Sequence, residues 1–115
     1  MNILNETTEL ISLLGFPVET GVFSQAAPAS YIVLVPLADS FPLSADNQPL
    51  TDSQELRITI FSKGNYLPVK NKIVKQMLGN DFYITDRRYN GYDKDVGYHQ
   101  YSIDVAKNYE IDTEE

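Results

Sequence analysis

The only histidine of the chain is the first side chain to consider for acid–base chemistry. His99 alternates with polar residues in a segment where Tyr101 and Ile103 share its side of a strand. A general base needs a nucleophile or an orienting carboxylate within hydrogen-bond reach, and the spacing of the sequence assigns neither to His99. The pattern therefore favours a partly buried strand residue with a satisfied ring nitrogen over a catalytic base.

Three aspartates have part of the spacing of a calcium-binding loop. Asp93, Asp95 and Asp104 stand at its first, third and twelfth places. However, Gly97 occupies the fifth place, where a ligand is needed, and Tyr98 the sixth, where glycine is needed. The chain also has no cysteine, which excludes disulfides and thiolate metal sites. We expect neither a metal nor a cofactor.

Basic residues are grouped in the middle of the chain, but no phosphate-binding loop accompanies them. Lys63 precedes an isolated Gly64 instead of following a glycine-rich turn. The group can contact phosphate, or it can form an ordinary solvated helix face; its members are Lys70, Lys72, Lys75, Arg87 and Arg88. The second interpretation is favoured, since a net charge of −7 opposes binding to nucleic acid. We expect no specific nucleic-acid binding, no catalytic residues and no enzymatic activity.

Tyrosine is more informative than any acid or base in this chain. Most of the eight tyrosines are found near the C-terminal end, at positions 83, 89, 92, 98, 101 and 109. A tyrosine covers apolar surface while its hydroxyl stays in water, which suits contacts between proteins. Tyrosine also favours strand formation, so a tyrosine-rich sheet surface is an equally good interpretation.

The elements are organised around residues 54–79. Leu56, Ile58 and Ile60 alternate with polar residues, which predicts a half-buried strand. Gly64 and Pro68 then favour a turn and a first helical turn. The spacing predicts a helix over 67–78, ended by a left-handed Gly79, and its apolar stripe is Tyr66, Val69, Ile73, Val74, Met77 and Leu78.

The N-terminal part is predicted to supply one helix and two strands. The helix covers 3–14 and is closed by Gly15, and strands follow at 18–23 and 31–35. The second strand is apolar throughout, typical of a strand covered on both faces, and Pro36 is expected to end it. The segment 38–53 is predicted to be a long loop. Its apolar residues either pack the loop against the rest of the domain or contact a partner protein; they are Phe41, Leu43 and Leu50.

The C-terminal part is predicted to form a hairpin, with strands at 81–86 and 98–109 and a turn at 87–97. An acidic tail at 108–115 is expected to fray. The chain is thus predicted to be a single α+β domain over 1–115, in the order α-β-β-β-α-β-β. One mixed sheet of about five strands carries two helices on a face, with an antiparallel meander first, then a crossover helix and the hairpin.

Charge is distributed unevenly along the chain. The part before Lys63 is acidic, 63–94 is basic, and the rest is acidic again. This alternation either favours self-association, basic face against acidic face of the next copy, or reflects an ordinary solvated surface. No apolar run approaches the ~20 residues that span a bilayer, and no basic flank or cleavage site marks a secretory signal. We expect a cytoplasmic protein that makes no membrane contact.

The order of elements resembles that of the small tail-terminator, or tail-completion (head–tail joining), proteins of long-tailed bacteriophages and prophages. The most specific residues are the strand end Ile60-Phe61-Ser62-Lys63 and the segment Tyr98-His99-Gln100-Tyr101-Ser102-Ile103. The resemblance covers nearly the whole chain as an order of elements. It implies a minor tail protein that ends the tail tube, joins it to the head connector, and has no catalytic residues.

The resemblance also implies partners and a location. The partners are copies of the chain in a ring, usually of six, together with the tail tube protein and the head connector protein. The protein would be in the cytoplasm of the bacterial host during assembly and afterwards in the virion tail. We expect the contacts in the loop 38–53 and the turn 87–96, through Phe41, Leu43, Leu50, Arg87, Arg88, Tyr89 and Tyr92.

Two other function classes compete with this one. A small acidic binding or inhibitor module would use the negative surface to occupy a basic protein partner. Such a module would stay monomeric, whereas a ring-forming protein would associate. An enzyme, such as a nuclease or hydrolase, would need a charged cluster in a pocket, and only His99 offers a starting point for one.

Overall fold

The computed structural model describes residues 2–20, 29–40 and 51–110, and they form one mixed five-stranded sheet with two helices. The elements are α1 (Ile3–Ser12), β1 (Val18–Thr20), β2 (Ser30–Ser40), β3 (Thr51–Ser62), α2 (Leu67–Leu78), β4 (Tyr83–Asp93) and β5 (Tyr98–Glu110). The α+β class and the order α-β-β-β-α-β-β are therefore confirmed. Neither helix in these ranges has the length and apolarity needed to cross a membrane.

The strands are arranged in the order β1-β2-β3-β5-β4. The predicted antiparallel meander is wrong, because β1 pairs with β2 in parallel, with Val18 opposite Ile32. Alternation of apolar residues identifies a strand but carries no information about its direction. The crossover and the hairpin are confirmed: α2 leads from β3 to β4, and β5 returns antiparallel between these two strands.

The core lies between the helices and one face of the sheet. Period-2 alternation places Leu56, Ile58 and Ile60 of β3 on this face, opposite Val105, Ile103 and Tyr101 of β5. The helices bury Ile3 and Ile11 of α1 and Val69, Ile73 and Met77 of α2 against it. The predicted stripe of α2 is narrower than expected, because Leu78 is 57% exposed.

The bounds of α2 agree with the prediction, but the backbone conformation at its C-terminal end does not. Gly79 has a φ of −71°, so it continues the right-handed turn instead of reversing it. The left-handed residue is Asp81, with a φ of 67°, and the Phe82 N–H then donates to the Met77 carbonyl at 3.1 Å. Aspartate tolerates this conformation better than most residues. Helix α1 ends at Ser12, two residues before the predicted bound of 14, and Gly15 has the expected left-handed conformation with a φ of 89°.

Strand β2 is longer than predicted and does not end at Pro36. It runs to Ser40, with an irregularity between Pro36 and Ala38 that accommodates the missing N–H. The prediction that both faces of this strand are covered is confirmed for Ile32, Val33 and Leu34, which are buried. It is wrong for Val35, which is exposed. Both ends of the predicted loop 38–53 are paired strand, since Ser40 faces Ser53. Phe41, Leu43 and Leu50 lie outside the described residues.

The predicted turn 87–97 and frayed tail are also largely strand. Strand β4 runs through Arg87 to Asp93, with register irregularities after Ile84 and Tyr89, and only 94–97 form the turn. Asn90-Gly91 predicted a turn, yet here Gly91 takes a φ of 114° at the second irregularity. Residues 108–110 of the tail pair with Thr51–Ser53 in β3, and 111–115 lie outside the described residues.

A polar cluster fastens α1 to the end of the sheet. Lys107 Nζ donates to Glu6 Oε2 at 2.8 Å and to the Asn80 carbonyl at 2.9 Å, and the Tyr109 hydroxyl donates to Glu6 Oε1 at 2.9 Å. Burial, followed by the hydrogen bond and negative charge of Glu6, raises the pKa of the Tyr109 phenol above its usual value. Glu6 thus holds the N-terminal helix through two partners on β5.

The raised pKa of Tyr109 predicts an alkaline loss of stability. The pKa of Tyr109 in the folded protein lies above the unfolded value of about 10. The contribution of the Tyr109 hydroxyl to the free energy of unfolding is therefore complete below pH ~10 and is lost as pH rises further. Tyr109→Phe should lower the free energy of unfolding by about 1.5 kcal/mol at pH 7. Above pH ~10 the difference from the wild type should shrink. Urea unfolding of the wild type and Tyr109→Phe from pH 7 to above pH ~10 tests this prediction, with Tyr83→Phe as the control because Tyr83 is exposed. A difference in free energy between the two proteins that does not change with pH would contradict it.

Thr7 offers a second stability test. It is fully buried, and its Oγ1 has no hydrogen-bond partner in the structure as described, whereas the neighbouring Thr8 hydroxyl donates to the Leu4 carbonyl at 2.7 Å. Thr7→Val should raise the free energy of unfolding by about 1 kcal/mol, because a desolvated hydroxyl is removed at constant shape. The matched Thr8→Val should leave it unchanged or lower it. Equal effects in urea unfolding would contradict the assignment.

Candidate functional site

A cluster of aromatic side chains lies where the β4–β5 hairpin meets the start of α2. We call it the tyrosine patch and define it as Tyr66, Tyr89, Tyr92, His99 and Tyr101. Tyr89 and Tyr92 are 46% and 51% exposed, although each ring also contacts another ring of the patch. Tyr101, by contrast, is almost completely buried, so the patch runs from the core to the surface.

Three elements bring these rings together. Alternation along β5 places His99 and Tyr101 on the face of the sheet that carries the helices. The hairpin register sets Tyr89 opposite Tyr101 and Tyr92 opposite His99. Tyr66 is the N-cap residue immediately before α2, so the helix start brings its ring over the same face.

The rings of the patch are stacked in a chain of contacts. Tyr66 stacks on Tyr89 with ring centroids 5.4 Å apart and on Tyr101 at 5.2 Å. Tyr92 lies against His99 at 4.7 Å. The Lys70 ammonium sits 5.3 Å above the Tyr101 ring, a cation–π contact that adds positive charge beside the patch. This arrangement presents preordered aromatic faces, which lose little side-chain entropy when a partner covers them.

His99 is the half-buried strand residue with a bonded ring nitrogen that the sequence predicted. Its Nδ1 lies 2.9 Å from the Tyr89 hydroxyl, and its ring is surrounded by Tyr66, Tyr89 and Tyr92. The hydrogen bond orients both rings. What this geometry supports is the positioning of Tyr89 within the patch.

The aspartates that have part of the calcium-loop spacing play different structural roles. Asp93 closes the hairpin turn by accepting from the Asp95 N–H at 3.0 Å. Asp104 is buried on the opposite face of the sheet and accepts two hydrogen bonds from Arg57, at 2.9 and 3.1 Å. In the ranges 2–20, 29–40 and 51–110, no group of three His, Asp or Glu side chains is placed to hold a metal.

The two arginines of the basic group lie on different faces of the sheet. Arg87 and Arg88 are neighbours in β4 and therefore point to opposite faces. Arg88 pairs with Asp86 at 2.7 Å on the face away from the helices, while Arg87 faces the α2 side. Among the predicted contact residues that the structure describes, Tyr89 and Tyr92 both lie against His99 in the tyrosine patch, with Arg87 on the same face and Arg88 on the other.

The face away from the helices carries a polar network that the sequence did not reveal. Arg57 donates to Asp104 between β3 and β5, and on the same face Asn90 Nδ2 of β4 donates to Ser102 Oγ of β5 at 2.6 Å. The hydrogen bond and charge of Asp104 raise the pKa of the Arg57 guanidinium. Arg57 and Asp104 do occupy the polar sides of their strands in the sequence, but only the β3–β5 register places them opposite each other.

No protein-family model matches this chain, and no curated protein matches it.

The Tyr89–His99 hydrogen bond leads to a test of how the patch is held. Tyr89→Phe keeps the stacked ring but removes the hydroxyl, and we expect the free energy of unfolding to fall by about 1 kcal/mol. Tyr92→Phe is the matched control on the same strand and should change it by less than about 0.5 kcal/mol. Urea unfolding measures both values. Equal effects of the two variants would show that the hydrogen bond does not stabilise the patch.

Proposed function

We propose that this protein is a non-enzymatic structural component of a phage or prophage particle. It ends the tail tube and joins it to the head connector, and it acts as a ring of copies. The partners in this proposal are other copies of the chain, the tube protein and the connector protein. The order of elements supports it, because the α-β-β-β-α-β-β arrangement is the one on which the resemblance to tail-terminator proteins depends.

The observation that carries the proposal is the partial exposure of the tyrosine patch. Interface energies are concentrated in a few aromatic and arginine side chains that a partner desolvates. Tyr89 and Tyr92 have this character: their rings are held by neighbours on one side and open to solvent on the other. A structural protein that functions by binding its neighbours needs such a surface.

The form of β4 indicates how a partner meets this surface. It is an edge strand of eleven residues, so its outer backbone groups face no neighbouring strand within the described sheet. Two register irregularities and the charges of Arg87 and Arg88 interrupt this edge, which opposes the addition of a further strand. We therefore infer that contacts are made through side chains rather than by extension of the sheet.

Deletion of the coding sequence from the replicon that carries it tests the proposed role. After induction, electron microscopy should show heads without tails and tubes of uncontrolled length, because nothing stops polymerisation or receives the connector. Restoring the gene should return joined particles. Normal particles from the deletion strain would overturn the proposal.

The patch itself is tested by Tyr89→Ser with Tyr92→Ser. We expect this variant to fold but to lose association in sedimentation velocity and tail joining in the deletion strain by at least about tenfold, since two anchors together supply more than 1.4 kcal/mol. Tyr83→Ser is the matched control, as Tyr83 is 63% exposed on the same strand but outside the patch. A wild-type protein that stays monomeric and binds a basic partner would favour the inhibitor function instead.

A further inference from the structure

A groove lies along one edge of the sheet, between α2 and β4. We call it the β4 groove; its lining residues are Val74, Leu78, Ile84, Thr85, Asp86 and Arg87. Its apolar wall is open, since Leu78 is more than half exposed. Arg87 stands in this groove and forms no ion pair with any residue of the described ranges. The carboxylate of Asp86 is paired with Arg88 at 2.7 Å, so the groove combines an apolar surface with the charge of Arg87, which no described acidic residue pairs.

A second groove lies between α1 and β1. We call it the β1 groove, and it is lined by Leu4, Asn5, Thr8, Glu9 and Thr20. Glu9 is exposed and, like Arg87, has no ion-pair partner among the residues that the structure describes. This groove combines a partly buried leucine with a negative charge.

The two grooves lie at opposite edges of the same sheet. In the order β1-β2-β3-β5-β4, the first and last strands are four strand spacings apart, or about 19 Å. The helices repeat the difference in charge: α1 contains Glu6 and Glu9 without a basic residue, whereas α2 contains Lys70, Lys72 and Lys75 without an acidic one. Glu9 and Arg87 therefore cannot compensate each other within one chain.

We propose that copies of this protein associate head to tail, with the β1 groove of one copy docked on the β4 groove of the next and Glu9 facing Arg87. The proposal deepens the ring function above and rests on it for closure of the ring. Complementary charge favours this occupant, because a symmetric contact through either groove would oppose Arg87 to Arg87 or Glu9 to Glu9. Contacts between two different surfaces propagate from copy to copy and produce rings or filaments.

Charge exchange tests the proposed pairing. Glu9→Arg and Arg87→Glu should each weaken association in sedimentation velocity by at least about tenfold, and the double variant should return to within about threefold of the wild type. Recovery in the double variant is specific to contact between copies, because the two side chains lie at opposite edges of one chain. Arg88→Glu is the control, since Arg88 points to the other face of β4 and should change association by less than about twofold.

Cysteine cross-linking provides a second measurement that does not depend on charge reversal being tolerated. The chain has no cysteine, so Glu9→Cys and Arg87→Cys are each the only thiol in their protein. Oxidation of the mixed single variants should give a disulfide-linked dimer of one Glu9→Cys and one Arg87→Cys chain in clear excess over either homodimer. The variant with both cysteines should form a ladder of higher oligomers.

The outcomes separate this pairing from the proposed function. Homodimers in excess, or single charge reversals that leave association unchanged, overturn the pairing while the particle role stands. Specific cross-links without any defect of the deletion strain overturn the particle role while the pairing stands. A wild-type chain that remains monomeric at millimolar concentration and gives no cross-link overturns the pairing, and the deletion strain then tests the particle role by itself.

Discussion

The pairing of β3 with β5 is the constraint on which the rest of the molecule depends. All twelve residues of β3 are paired with β5, and the two strands form the centre of the sheet. The register places Leu56, Ile58 and Ile60 of β3, together with Ile103 and Val105 of β5, on the face that the helices cover. It also joins Arg57 to the buried Asp104 on the opposite face. A slip by one residue would expose the core and break this ion pair, so both faces specify the same register.

The same register determines what the surface of the protein can do. Because β5 carries His99 and Tyr101 on the helix face, the antiparallel β4 adds Tyr89 and Tyr92 beside them. The insertion of β5 between β3 and β4 also moves β4 to the edge, where α2 covers it only in part. An aromatic surface and a charged groove thus lie on the same edge of the sheet.

The sequence allowed the fold class to be predicted because its strongest patterns are local. Alternation at Leu56, Ile58 and Ile60 and the helical spacing of Val69, Ile73 and Met77 each reflect burial of one face. Strand direction is a property of the assembled sheet, which is why the parallel β1 was missed. Residues typical of turns, as at 38–40 and 87–93, were outweighed by pairing with a long neighbouring strand.

The candidate site was predicted only in part, for a related reason. Tyrosine content indicated a contact surface, and Tyr89 and Tyr92 do meet in the patch. Tyr66, by contrast, reaches the patch only because α2 begins above β5, and no local spacing encodes that contact. The predicted turn at 87–97 would keep Arg87 and Arg88 close together, whereas a strand directs adjacent side chains to opposite faces.

The central claim is that this protein acts through the surfaces by which it adheres to copies of itself and to its neighbours. Cryo-electron microscopy of the particle that carries it tests this most directly. The account predicts a ring of this chain between tail tube and head connector, with Tyr89 and Tyr92 buried in contacts. Absence of the chain from the particle, or a ring that leaves both tyrosines facing solvent, would contradict it.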